Sequence, residues 1–186
     1  EDDDEIVAIT PMRRSIAEHM LRSRRTAPHV TTVFEIDLSR VVAHRARAQA
    51  DFARQGVKLT YTAYFVQAAS AALLAVPSVN ASYADDGIVQ HRAVNLGVAV
   101  ALDEGLIVPV IRAADEKNLL GLARAVNDLA ERARMRRLKP DETQGGTFTI
   151  TNGGVFGSLL STPLVNPPQS GILGMHTIQE RPVAVE

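Results

Sequence analysis

The 186-residue chain contains no cysteine. That absence excludes a disulfide framework, a thiolate nucleophile and a cysteine-ligated metal, and it fits a reducing compartment. Also missing is any apolar run near the ~20 residues needed to span a bilayer. The first residues, EDDDE, are the reverse of a basic secretory leader, so neither membrane insertion nor secretion is expected. Lysine is scarce: Lys58, Lys117 and Lys139 are the only lysines among 20 basic residues, a skew to which no mechanism attaches. His19, His29, His44, His91 and His176 have no metal-binding spacing, so no metal is expected and each histidine taken alone reads as structural. NGGVFGS lacks the Gly-Lys-Ser/Thr of a phosphate-binding loop. A formal net charge of -1 with 46% apolar residues argues against both disorder and a nucleic-acid partner. What is left is one globular domain, long enough to bury roughly 70% of the surface its unfolded chain exposes.

Thr10-Pro11 supplies an N-cap and a proline at the first helical position. From there Met12, Ile16, Ala17, Met20 and Leu21 recur on one helical face, and Pro28 ends the helix. HVTTVFEID, residues 29–37, is rich enough in β-branched and aromatic side chains to be a strand. A helix is expected from Leu38 to Gln55, with Asp37 or Ser39 at its start and Gly56 past its end. Another, Thr60 to Val76, is so apolar that it should be buried on most of its circumference.

Two hairpins follow, turning at Asp85-Asp86-Gly87 and Asp103-Glu104-Gly105, with strands expected to share one sheet. Their acidic pairs look like acid/base partners, but each precedes a turn glycine, and turn chemistry explains them better. Leu119 to Ala133 holds helical spacing behind Asn118, and Arg132, Arg134, Arg136 and Arg137 lie at the end where a helix dipole favours cations. Then come GGTFTITNGGVFGS, a proline-rich connection and a last strand in GILGMH.

On a strand, Thr147, Thr149 and Thr151 face one way while Phe148 and Ile150 face the core. Threonine is a good strand former, so propensity alone accounts for the pattern. Thr151 differs by position. It is the last strand residue before Asn152-Gly153-Gly154, where missing Cβ atoms let another backbone or a ligand come close.

GGTFTITNGGVFGSLLSTPLVNPPQSGILGMH, with MRRSIAEHM, EIDLSRV, VNASY and NLGVAVALDEGLIVPVIRAAD upstream, resembles the catalytic domain of the dihydrolipoyl acyltransferases of 2-oxo acid dehydrogenase complexes. The likeness covers nearly the whole chain after an acidic linker stub, residues 1–8, and marks 9–186 as the catalytic domain. It implies a chloramphenicol acetyltransferase-like α/β fold, a mixed sheet flanked by helices. Such proteins form trimers with active sites between subunits, and the trimers assemble into hollow cores. Coenzyme A and a dihydrolipoyl group are the implied substrates, the lipoyl attachment site lying outside this chain. The 2-oxo acid dehydrogenase and dihydrolipoyl dehydrogenase subunits are the implied partners, in the bacterial cytoplasm or the mitochondrial matrix.

By motif position Thr151 matches the family's Ser/Thr that donates to the oxyanion of the tetrahedral intermediate. The family's general base, the histidine of a His-x-x-x-Asp-Gly motif, has no counterpart in these residues. The resemblance therefore implies a C-terminally incomplete domain, inactive alone. TNGGVFGSLLSTP resembles the succinyl-transferring members and Pro28-His29 the acetyl and branched-chain ones. A non-catalytic core scaffold lacking the histidine, or an antibiotic-modifying acyltransferase, are the other readings.

Overall fold

The computed structural model describes residues 4–103 and 105–184. Its centre is a four-stranded mixed sheet whose middle strand, β7 (Phe148–Asn152), lies parallel to both neighbours, β3 (Leu96–Val98) and β8 (Ile172–Met175). The edge strand β6 (Val110–Ile111) pairs antiparallel to β3. Helices α3 (Tyr61–Ala75) and α4 (Leu119–Arg134) cover one face. Val66, Ala69 and Leu73 of α3 and Leu122, Val126 and Leu129 of α4 meet Leu96, Val98, Ile111, Ile150 and Met175 of the sheet in one buried cluster. The expected α/β architecture is present.

The local signals worked where the chain carries its own cap. Thr10 Oγ1 accepts from Arg13 N–H at the start of α1 (Pro11–Thr26), and Asn118 Oδ1 accepts from Gly121 N–H at 2.9 Å at the start of α4. For α2 (Ser39–Arg54) it is the Asp37 carboxylate that accepts from Ser39 N–H, at 2.8 Å. Gly56 follows α2 with φ +70°, a left-handed conformation that favours glycine.

Four expectations are corrected. The inner face of α1 is Ile16, His19, Met20 and Ser23, with Met12 and Leu21 about half exposed. Apolar periodicity alone missed this, because His19 and Ser23 are drawn inward by hydrogen bonds to Asn166 Oδ1 and Val165 O. Residues 29–37 run without helix or ladder, Val30 and Phe34 being 90% and 80% exposed. The composition of a strand is there but no strand lies beside it among the described residues; an ion pair from Arg181 to Glu35 ties it down. α3 buries only one side, leaving Ala68, Ala71, Ala72 and Leu74 exposed.

The hairpin strands do not share one sheet. β1 (Ala81–Ala84) and β2 (Gly87–Gln90) form a separate ribbon, joined among the described residues by an isolated bridge from Ser82 to Gln169. β4 (Val100–Leu102) and β5 (Gly105–Ile107) form another, whose pairing continues the register of β3 and β6. The two halves are one long hairpin, interrupted where Ala99 N–H turns to Ile150 O and Pro109 has no N–H to offer. Asp85 and Asp86 lie in the first turn, and Asp103 in the second; Glu104 and the first three residues of the acidic stub lie outside the described residues.

In the last turn of α4, Arg132 forks onto both oxygens of Glu142 at 2.6 and 2.7 Å and onto Asp128. That hydrogen-bonded guanidinium, helped by Lys139 N–H, holds the Glu142 carboxyl down at about 2. Its folded pKa lies below its unfolded value, so the contribution to stability is full above about pH 4.5 and lost as pH falls toward 2. Thermal melts of Glu142→Gln should therefore lie below those of the parent above pH 5, with the gap closing between pH 4.5 and 2. The effect should be small and salt-sensitive, the pair being partly solvated.

Candidate active site

Alternation along β7 places threonines on the face away from α3 and α4, but that face is not open. Thr147 Oγ1 donates to Asn95 O at 3.3 Å and accepts from Asn95 N–H at 3.2 Å. Thr149, 1% exposed, donates to Gln169 Oε1 at 2.6 Å, while Gln169 Nε2 donates to Gly146 O at 3.0 Å. These two hydroxyls are structural. Thr151 is half-buried and makes no side-chain hydrogen bond among the described residues.

Small residues flank it. Its register partner on β8 is Gly174, and on the other side β3 breaks off at Ala99. A Cβ added at Gly174 would lie 3.0 Å from Pro163 Cγ and 3.4 Å from His176 Cε1. Register partners in a parallel pair share a face, so the proline-rich connection and the His176 ring lie on the face of the sheet that Thr151 shares with Gly174.

The glycine turn after β7 is held by its own chain. Asn152 Oδ1 accepts from Gly154 N–H at 3.0 Å, and a 3₁₀ turn runs over Gly154–Phe156. A Cβ on Gly154 would meet His176 O at 2.4 Å and Thr177 N at 2.8 Å. The missing Cβ is required by the backbone that follows β8. Val155 and Phe156 at the tip are 70% and 74% exposed.

All five histidines have hydrogen-bond partners. His44 bonds Tyr64 OH and His91 bonds Ser82 Oγ. The other three converge on residues 161–166, which no spacing in the sequence announces. His19 Nε2 donates to Asn166 Oδ1 at 2.7 Å. His29 Nε2 accepts from Val165 N–H at 3.0 Å, and His176 Nε2 from Ser161 N–H at 2.9 Å. Thr151 lines neither of two clefts in the protomer. One, about 450 Å³, lies at the opposite end of the sheet among Leu73, Pro77, Asn80 and Val94. The other, about 180 Å³, is lined by Tyr61, Asn152, Gly154, Val155, Met175 and His176.

Residues 1–186 match the family of 2-oxoacid dehydrogenases acyltransferase (catalytic domain). The chain belongs to this family. An acyltransferase of the family from Rickettsia bellii (strain RML369-C), the dihydrolipoyllysine-residue succinyltransferase component of its 2-oxoglutarate dehydrogenase complex, is 44% identical over 183 residues. That match takes in 98% of this chain and 46% of the relative, so the chain spans about half the length of the curated relatives it matches. Among solved acyltransferase structures, a probable dihydrolipoamide acetyltransferase from Listeria monocytogenes 4b F2365 superposes with a TM-score of 0.96 at 37% identity. It covers all of this chain and 80% of that one. The cubic core of a pyruvate dehydrogenase multienzyme complex superposes at 0.95 and 36% identity, covering 98% and 76%. Among the described residues no helix is long and apolar enough to cross a membrane.

The two turn glycines of this acyltransferase domain should respond differently to alanine. Gly153 has φ -80° and nothing nearer than 3.5 Å to an added Cβ, so Gly153→Ala should leave stability within about 0.5 kcal/mol. Gly154→Ala should cost about 1–3 kcal/mol through overpacking, measured by chemical denaturation.

Proposed function

We propose that the intact protein transfers an acyl group, succinyl in first place, from a dihydrolipoyllysine to coenzyme A in the core of a 2-oxo acid dehydrogenase complex. The observation that carries this is the free Thr151 hydroxyl on a strand tip whose other threonines are fully engaged. A thiol with a pKa near ~8.5 must lose its proton before attacking a thioester, and the tetrahedral product bears an oxyanion. An unengaged hydroxyl flanked by Gly174 can donate to that oxygen without first breaking a bond of its own.

The base is assigned to the family's His-x-x-x-Asp-Gly motif, because all five histidines here already have structural partners. Succinyl ranks above acetyl because the succinyltransferase relative is 44% identical and the acetyltransferase neighbour 37%. Residues 9–186 make up the acyltransferase domain behind an acidic linker stub. The exposed Val30, Phe34, Phe156 and Leu159 support burial against further copies of the chain, in trimers that build a larger core. Such a core would work with dehydrogenase and dihydrolipoyl dehydrogenase subunits, with the cytoplasm as its setting.

The test is acyl transfer by the full-length protein between coenzyme A and dihydrolipoamide, with succinyl and acetyl donors compared. Thr151→Ala should lower kcat on the order of 10²- to 10³-fold with KM for coenzyme A little changed. Thr151→Ser should keep most of the activity. Thr149→Ala leaves Gln169 Oε1 without its donor and should cost about 1–3 kcal/mol of stability while sparing kcat. Equal kcat losses from Thr149→Ala and Thr151→Ala would remove the special role of Thr151.

A further inference from the structure

We propose that the cavity of about 450 Å³ at the end of the sheet away from Thr151 is a second ligand site, one that takes a small aliphatic carboxylate carrying a hydrogen-bond donor. The site stands apart from the acyl-transfer reading and does not depend on it. Leu73 and Leu74 in the last turn of α3, Pro77 just past it and Val94 ahead of β3 give the cavity its apolar lining. Asn80 enters β1 and Arg92 follows β2, so the outer ends of the β1–β2 ribbon supply the polar side. Apolar walls with a few placed polar groups are the usual make-up of a small-molecule site.

Asn80 is 1% exposed. Its Nδ2 donates to His91 O at 2.9 Å and to Ala93 O at 3.1 Å, and two carbonyl partners fix which end of the amide is the nitrogen. Oδ1 is therefore turned off the 91–93 segment and toward the cavity that Asn80 lines, and among the described residues nothing donates to it. The neighbouring His91 is engaged elsewhere, its Nε2 with Ser82 Oγ at 2.7 Å and its backbone N–H with Asn80 O at 2.8 Å. A buried amide oxygen without a donor is unfavourable, so the cavity favours an occupant that brings one.

The charge on the lining has one sign. Arg92 is exposed, and among the described residues neither an ion pair nor a side-chain hydrogen bond engages its guanidinium. No carboxylate of the described residues lines the cavity. A guanidinium takes a carboxylate through two parallel N–H bonds. The last turn of α3 has no basic residue, so the Leu73–Leu74 wall presents a bare helix C-terminus, which disfavours an anion. Charge therefore places a ligand's carboxylate at Arg92, its aliphatic part on Leu73, Leu74, Pro77 and Val94, and its donor at Asn80 Oδ1.

The experiment is isothermal titration calorimetry on the full-length assembled protein with ω-hydroxybutanoate, ω-hydroxyhexanoate and ω-hydroxyoctanoate, a series that varies the span between hydroxyl and carboxylate. At least one should bind saturably below millimolar concentration. The same acid without its hydroxyl, and the corresponding alcohol without its carboxylate, should each bind about tenfold more weakly, as loss of one good hydrogen bond implies. Arg92→Gln should weaken the acid about tenfold or more while leaving the alcohol unchanged. Leu74→Trp, at an exposed wall position, should block the whole series, and Arg24→Gln on α1 should bind as the parent does. No saturable binding by any of the three acids, or binding that Arg92→Gln and Leu74→Trp leave as it was, overturns the proposal. So does loss of assembly in Leu74→Trp by sedimentation velocity, which would make the cavity an interface between copies.

Discussion

Strand β7 is parallel to both its neighbours and buried on both faces, and nearly everything else in the molecule is arranged around that. Ile150 on one side is packed by α3 and α4, and Thr149 on the other is closed off by Gln169. A strand fixed from four directions cannot slip by a residue without carrying its core side chains to the wrong face. That fixity aims the one hydroxyl at its free end. A site built on such a strand inherits its precision from the core rather than from loops.

The layer arrangement accounts for which parts of this could be read from residues alone. Caps are local, so α1, α2 and α4 were legible from Thr10, Asp37 and Asn118. Hairpin turns are local too, and both were found at their glycines. Burial is not local. HVTTVFEID has a strand's composition, yet a strand is a relation between two segments, and among the described residues none pairs with it as a ladder. α3 is apolar all round and still shows half its surface, because composition measures what a helix could bury and not what lies next to it.

Along β7 the hydroxyls of Thr147 and Thr149 are engaged, while Thr151, at the turn, has no side-chain hydrogen bond among the described residues, a difference in position that alternation alone does not express. The role of Gly154 was half legible: the missing Cβ is required, but by the chain's own backbone at His176 and Thr177. The histidine arrangement was not legible at all. His29 and His176 stand 147 positions apart, and each alone is an ordinary imidazole next to a main-chain amide. Only the fold reveals that they grip the two ends of one short segment.

The long hairpin acts as a ruler. Its two halves keep one register across the break at Ala99 and Pro109, and a Cβ at its tip residue Gly105 would lie 3.0 Å from Ile16 Cδ1 of α1. Each residue pair adds about 3.4 Å of reach. Removing one pair would draw the tip back from Ile16 and turn the side chains beyond the cut to the opposite face, so the length of this ribbon matters as much as its composition to the contact it makes with the first helix.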